Sequence, residues 1–362
     1  MKIVFIIPGA NLSGGIRIVA EHARMLHERG HEVTVVAGRG RKRAVRARAI
    51  SMLRGRAKGR RSGGATHLDD VPYRVHTIDR SGPIVADDVP DADLILATWW
   101  ETAEWVAAMP ECKGVKVSFL QGYEAHPGQP KDRVDVVWRL PMRKIVVSEW
   151  LDGISKEQFG DDTAILVPNG IETSAFRFVD RGLSGRRVVG AMWSPASFKR
   201  FDLACEIVRE LDRRGCGVEF VGFGAAQAGQ GVLPVGAKFE ITPSQERIAE
   251  IYSSCDCWLF TSDKEGYGLP LLEAMSSGTP VVATPAGAAP ELLQSGGGKL
   301  VDSDSPGVIA DAVEEILSLE DAQWRGMSQA ALAEAEKHSW EVIGGQMECA
   351  LQRILDESRD AH

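Results

Sequence analysis

Glu265-Gly-Tyr-Gly-Leu-Pro-Leu-Leu-Glu273, running on into Ala274-Met-Ser-Ser-Gly-Thr-Pro-Val-Val282, sets two carboxylates eight residues apart where a glycine-rich loop becomes a helix. Gly266 and Gly268 let the backbone approach a ligand with no side chain in the way. Pro270 suits the first turn of a helix, where its missing N–H costs nothing. The N–H groups of such a turn have no partner within the helix, and with the helix dipole they attract an anionic or oxygen-rich ligand. Glu273 falls about one turn further in. A carboxylate there can accept hydrogen bonds from vicinal hydroxyls such as those of a ribose. Two strand-like runs flank the stretch, Cys257–Phe260 before it and Pro280–Ala283 after it.

The same alternation fills the chain on both sides. In the first half the strand-like runs are Ile3–Ile7, Glu32–Ala37, Tyr73–Ile78, Asp93–Ala97, Val115–Leu120, Lys144–Val147 and Ala164–Val167, with a clear helical pattern at Ile16–Glu28. The second half repeats it: strand Arg187–Trp193, helix Phe201–Arg214, strand Gly217–Val221, helix Glu246–Ser253, then strand Cys257–Phe260 and helix Pro270–Ser276. Alternating strands and helices predict parallel, doubly wound sheets. Two such runs of comparable length predict two Rossmann-like domains. Asp180-Arg-Gly-Leu-Ser-Gly185 breaks the pattern, which places the first domain at 1–180 and the second at 181–345. A last helix is expected from Trp340 to about Asp356, with Ser339 as its cap.

Composition narrows the function classes. The 362 residues suit two domains of ordinary size, and 44% apolar content is that of a globular chain with real cores. The net charge of −8 argues against a nucleic-acid binder. Six cysteines are scattered without a C-x-x-C pair, which suits a reducing compartment. No apolar run reaches the ~18 residues of a membrane helix. The opening strand, Lys2–Ile7, is not a signal peptide, so a cytoplasmic location is expected. One segment stands apart. Arg39–Arg61 carries eleven Lys or Arg and no acid, and without it the chain would hold −19. It reads either as a solvated loop or as a contact with an anionic membrane or a phosphorylated lipid acceptor, which would make the protein peripheral at the inner membrane surface. The acidic groups Asp69-Asp70, Asp87-Asp88, Asp161-Asp162 and Asp302-Ser-Asp304 sit in polar, turn-like settings without clustered partners, so no metal site is expected.

The Glu265–Val282 block resembles the nucleotide-sugar signature of the retaining glycosyltransferases of family 4, the glycosyl transferases group 1. The resemblance extends over essentially the whole chain. It implies the GT-B fold: two facing Rossmann-like domains with a cleft between them, and a C-terminal helix (346–362) crossing back to the first. It implies transfer, with retention, of a sugar from a nucleoside diphosphate sugar to a glycan, lipid-linked or small-molecule acceptor, with no cofactor and no metal. The second domain would hold the donor and the first would shape the acceptor site. Glu265 would meet the donor sugar and Glu273 the ribose. Gly15, Lys199 and the N–H groups around Gly268 and Leu269 would hold the diphosphate, with Gly14, Gly266 and Tyr267 part of the same donor contacts.

The first loop, Pro8-Gly-Ala-Asn-Leu-Ser-Gly14-Gly15, is not the G-x-G-x-x-G of dinucleotide binders, and it matches the family's glycine pair. Three positions depart from the family. Ala191 stands where the phosphate-binding arginine is usual, Arg200 takes the usual glycine position after Lys199, and Gln121 replaces a histidine near the donor sugar. Arg200 is therefore a candidate for the missing charge. Gln121 cannot act as a base and would hydrogen-bond a sugar hydroxyl. His126, five residues on, is not its equivalent. Val167-Pro-Asn169-Gly170-Ile-Glu172 matches the family's turn before the linker and reads as architectural. Two other classes fit the same residues, a sugar-nucleotide epimerase of this fold and a catalytically inactive nucleotide-binding partner protein.

Overall fold

The computed structural model describes residues 1–39, 66–125, 128–176, 178, 180–229 and 231–360. All but the first residue of the basic segment Arg39–Arg61 lie outside these, as does His126. The chain divides into two compact units. One comprises Met1–Val146, Ile154–Val167 and Gly344–His362, the other Val147–Gly153 and Pro168–Ile343.

The first unit is built on seven strands, β1 Lys2–Ile7, β2 Glu32–Ala37, β3 Arg74–Thr77, β4 Leu94–Ala97, β5 Val115–Leu120, β6 Arg143–Val146 and β7 Ile165–Leu166. Every pairing is parallel, in the order β3-β2-β1-β4-β5-β6-β7. β1 and β4 are continuous apolar runs because both faces of a parallel sheet are covered. Their connections are helices α1 Gly14–Glu28, α2 Trp100–Ala107, α3 Lys131–Trp138 and α4 Glu149–Phe159.

The second unit repeats the plan with β8 Val188–Trp193, β9 Glu219–Gly224, β10 Lys238–Ile241, β11 Cys257–Phe260, β12 Val281–Ala283 and β13 Gly298–Leu300. Their order is β10-β9-β8-β11-β12-β13, again wholly parallel. Helices α5 Phe201–Arg213, α6 Gln245–Ser254, α7 Leu269–Ser276, α8 Ala289–Leu293, α9 Pro306–Leu317, α10 Asp321–Glu336 and α11 Trp340–Asp360 complete it, with α11 running on into residues counted in the first unit. In both sheets the chain starts at a central strand, winds outward to one edge and then returns to the other side. The reversal falls between β1 and β4 in one sheet and between β8 and β11 in the other. In such sheets ligands bind at the carboxyl ends of the strands beside the reversal.

Two expectations are corrected. The domain boundary expected near Val179–Gly185 lies inside the second unit, which the chain visits at Val147–Gly153 and re-enters at Pro168. Side chains far along the sequence hold this stretch there. Phe176 is buried 6.0 Å from Tyr252, and the Arg181 guanidinium hydrogen-bonds the fully buried Asp256 (2.7 Å) and lies over Trp324. The strand expected at Gly217–Val221 instead begins at Glu219, because Gly217 sits at φ +63 in the preceding turn.

Candidate active site

The site of the second unit starts at the reversal in its sheet. β8 and β11 are neighbours, and the loops that leave their carboxyl ends carry Lys199 and Glu265. The Lys199 ammonium pairs with Glu265 Oε1, which also accepts a hydrogen bond from Ser262 Oγ (2.8 Å). Both residues line a narrow pocket with Met192, Ser262 and Pro270. The two loops are tied together by their backbones. Asp263 N donates to the Phe198 carbonyl (2.9 Å), and Thr261 Oγ1 donates to the Arg200 carbonyl (2.9 Å). A half-buried cation–carboxylate pair of this kind helps to fix both groups in place.

The turn from Glu265 into α7 depends on glycine. Gly268 has φ +107, and a Cβ there would come within 2.8 Å of Phe260 Cζ. Gly287, at φ +58, lets a second turn pass beneath, where a Cβ would meet the Tyr267 carbonyl oxygen at 2.5 Å and Glu265 Cβ at 2.8 Å. Ala288 N donates to that Tyr267 carbonyl (2.7 Å), and Ser148 Oγ donates to the Gly266 carbonyl (2.7 Å). The loop is thus braced from both sides, and Leu269 opens α7 with Pro270 in its first turn.

Glu273 lies on α7, nearly buried, and its Oε2 accepts the Tyr252 hydroxyl (3.0 Å). The Tyr267 side chain is buried too and hydrogen-bonds His338 Nδ1 (2.9 Å), so any ligand contact of Tyr267 falls to its backbone. Arg200 adopts the left-handed conformation (φ 48, ψ 44) that a glycine would take without strain. Its guanidinium is turned to Asp304 (2.5 Å) while Lys199 is turned to Glu265.

In the first unit, Gly14 and Gly15 form the first turn of α1, at the carboxyl end of β1. Gln121 follows β5 and lies beside them: a Cβ on Gly15 would sit 3.6 Å from Gln121 Oε1. Trp99 and Trp100 follow β4. Trp100 is buried beneath Arg133, whereas Trp99 stays half-exposed. Gly170 is architectural, since a Cβ there would strike the Trp340 ring at 2.5 Å. Glu124, which the sequence reading did not single out, is nearly buried, and its Oε2 accepts the first N–H of α2, that of Trp100 (3.0 Å). Burial pushes its carboxyl up to about 8, against the pull of that N–H. Ser262, Tyr252, Ser148 and Gly287 also escaped the sequence reading. Each is an ordinary residue type whose role comes from contacts with distant parts of the chain.

The fold and this constellation define a class. Residues 187–319 match the model of the family described as Glycosyl transferases group 1, so the resemblance carried by Glu265–Val282 holds. Among curated proteins, the D-inositol 3-phosphate glycosyltransferase of Corynebacterium aurimucosum is 39% identical over 107 residues, 29% of this chain and 25% of that protein. The O-antigen chain mannosyltransferase B of Escherichia coli is 36% identical over 97 residues, 26% of this chain and 25% of that one. The matches to these two relatives thus span about a quarter of each relative's length. Among solved structures, Anabaena Alr3699/HepE in complex with UDP and glucose superposes with a TM-score of 0.72 at 19% identity, covering 98% of this chain and 100% of that one. Sucrose-phosphate synthase from Thermosynechococcus elongatus gives 0.75 at 15% identity over 99% and 100%. The fold is the α/β GT-B class, with two Rossmann-like units.

Proposed function

We propose that this protein is a retaining glycosyltransferase that moves a sugar from a nucleoside diphosphate sugar to a glycan, lipid-linked or small-molecule acceptor. The observation that carries the reading is the second-unit constellation. Glu265 and Lys199 are paired at the reversal of the sheet, a glycine turn opens α7 beside them, and Glu273 stands on that helix. In this reading Glu273 accepts hydrogen bonds from the ribose. Lys199 and the first turn of α7 take the diphosphate, which leaves as a strong anion and needs cationic or N–H partners. Glu265 meets the donor sugar and stabilises the positive charge that grows on its ring as the bond breaks. Arg200 would reach the diphosphate only after leaving Asp304.

Gly14, Gly15 and Gln121 complete the reading from the first unit. A Cβ on Gly14 would meet nothing within 4 Å and one on Gly15 only an ordinary contact, so packing does not require glycine at either position. Close approach of a ligand supplies a reason for both. Lys199 and helix N-termini take the place of a divalent ion. Among the described residues no three His, Cys, Asp or Glu side chains converge as a metal set. Contact of the basic segment Arg39–Arg61 with an anionic membrane belongs to the same proposal. No described helix is long and apolar enough to cross a membrane.

The test is calorimetry of a panel of nucleoside diphosphates with the parent and with Glu273→Ala. Losing a charge-assisted hydrogen bond worth about 1.5–3 kcal/mol should weaken the preferred nucleotide roughly 10- to 150-fold. Unchanged affinity in a folded variant would remove the ribose role.

A further inference from the structure

At the carboxyl ends of β1, β2 and β4, within the first unit, a crevice of about 660 Å³ is lined by Trp99, Trp105, Glu101, Gln129, Arg39 and Arg80, among others. It has room for a sugar, since small-molecule sites commonly span about 300–1,000 Å³. Its walls are built and held. Gly38 allows β2 to close on β1, where a Cβ would strike the Pro8 carbonyl oxygen at 2.7 Å, and Arg39 makes a backbone bridge to Gly9. The Trp99 N–H donates to Thr102 Oγ1 (2.9 Å), which fixes that residue at the start of α2. Gln129 Oε1 accepts the Trp100 indole N–H (3.1 Å), so the amide is oriented and its NH2 remains to donate.

The two arginines differ. Arg80 holds its own turn, donating to the Pro83 carbonyl (2.6 Å) and pairing with Asp88. Arg39 donates to the Asp79 carbonyl (2.8 Å) and has no carboxylate partner among the described residues. Glu101 lies in the field of Arg133. Two indoles, an oriented amide and a carboxylate suit a polyhydroxylated ring, whose C–H face packs on aromatic surface while its hydroxyls are hydrogen-bonded. A guanidinium without a carboxylate suits a planar or tetrahedral oxyanion.

We propose that this crevice binds an anionic sugar as the acceptor, its ring against Trp99 and Trp105 and its phosphate or carboxylate against Arg39. The proposal rests on the glycosyltransferase reading for the word acceptor, but the binding it requires does not. The experiment is a ligand-observed NMR titration of the full chain, without donor, using glucose 6-phosphate, glucuronate, glucose and inorganic phosphate. Both anionic sugars should bind at least about ten-fold more tightly than glucose, as a charge-assisted contact requires. Arg39→Ala should remove that difference, and Arg39→Lys should keep part of it. Trp105→Ala should weaken all three sugars about ten-fold and leave phosphate unaffected. Tighter binding of glucose 6-phosphate than of glucuronate would assign the anion to a phosphosugar, and the reverse to a uronate. Nucleoside diphosphate binding by the parent is measured alongside. If that fails, the transferase reading fails whatever the crevice does. If it holds while the charged sugars bind no better than glucose, or while Trp105→Ala changes nothing, the crevice proposal alone is overturned.

Discussion

At the scale of single residues, the two glutamates of the motif differ in what they touch, and this separates their expected phenotypes. Glu265 is paired with Lys199 and Ser262 at the mouth of a pocket, whereas Glu273 is anchored to the buried Tyr252 hydroxyl. Glu265→Gln should therefore lower turnover by more than it lowers donor affinity, because the contact proposed for it would strengthen as the sugar departs. Steady-state kinetics set against donor binding would show the split, and equal losses would contradict it. Tyr252→Phe should weaken nucleotide binding less than Glu273→Ala, since it removes only the support of the carboxylate. Two carboxyls, the nearly buried Glu124 and the half-buried Glu291, also make stability depend on pH. Burial raises Glu124 to about 8 and Glu291 to about 7, while in the unfolded chain both titrate near 4.5. Each folded carboxyl thus holds its proton where the unfolded one has lost it. Their contribution is fully present below about pH 4.5 and is lost as pH rises through 7 and 8. The melting temperature should fall over that window, and Glu124→Gln should flatten the upper part of the fall. A Gln variant with the parent's slope would deny Glu124 that role.

At the scale of elements, strands with a dense apolar run, such as β1 and β11, or with a regular apolar alternation, such as β2 and β5, were legible from sequence. The signal there is a run or alternation of Ile, Val, Leu or Phe that needs no partner to be recognised. β10 was not legible, because Lys238–Ile241 is a short strand at the sheet edge with polar and half-exposed residues. Helix α10 was missed for a related reason, since it buries only Trp324, Ser328, Ala331 and Ala335, whereas α9 does bury an apolar face of Ile309, Val313, Ile316 and Leu317 that the sequence analysis passed over. The candidate site was legible where chemistry sits in adjacent residues, as in Glu265–Glu273. It was not legible where Ser148, Gly287 and His338 brace that loop from afar. The turn into α7 gives a direct test of this bracing. Gly268→Ala forces a Cβ into a φ of +107 and against Phe260. It should cost about 1–3 kcal/mol in urea unfolding and also weaken nucleotide binding. A variant as stable as the parent would show that the turn relaxes freely.

At the scale of the whole molecule, transfer is expected to survive EDTA, because in the proposed reading Lys199 and a helix N-terminus neutralise the diphosphate in place of a divalent ion. Activity regained only with magnesium or manganese would overturn this. The charge pattern adds a second expectation. Eleven cationic residues in Arg39–Arg61 oppose a chain that is otherwise at −19. Binding to anionic liposomes should weaken steeply with salt, since exposed charges are screened beyond about 8–10 Å. Neutralising half of the segment should abolish liposome binding without touching donor affinity; indifference to that change would leave it as a solvated loop. Finally, the first unit is not continuous in the chain. Gly344 and Gly345, early in α11, let that helix approach Met25 and Arg29 of the first unit, and Glu348 is held by Arg29 (2.9 Å) and His31 (2.8 Å). On the ribosome this inverts the usual order of completion. The second unit has all its residues once position 343 is made, while the first, begun earlier, waits for its closing helix. At roughly 5–20 residues per second that wait lasts on the order of 10–40 s. For that interval the surface that α11 will cover on the nascent first unit stays open, which makes this half of the protein the one with most to gain from a chaperone.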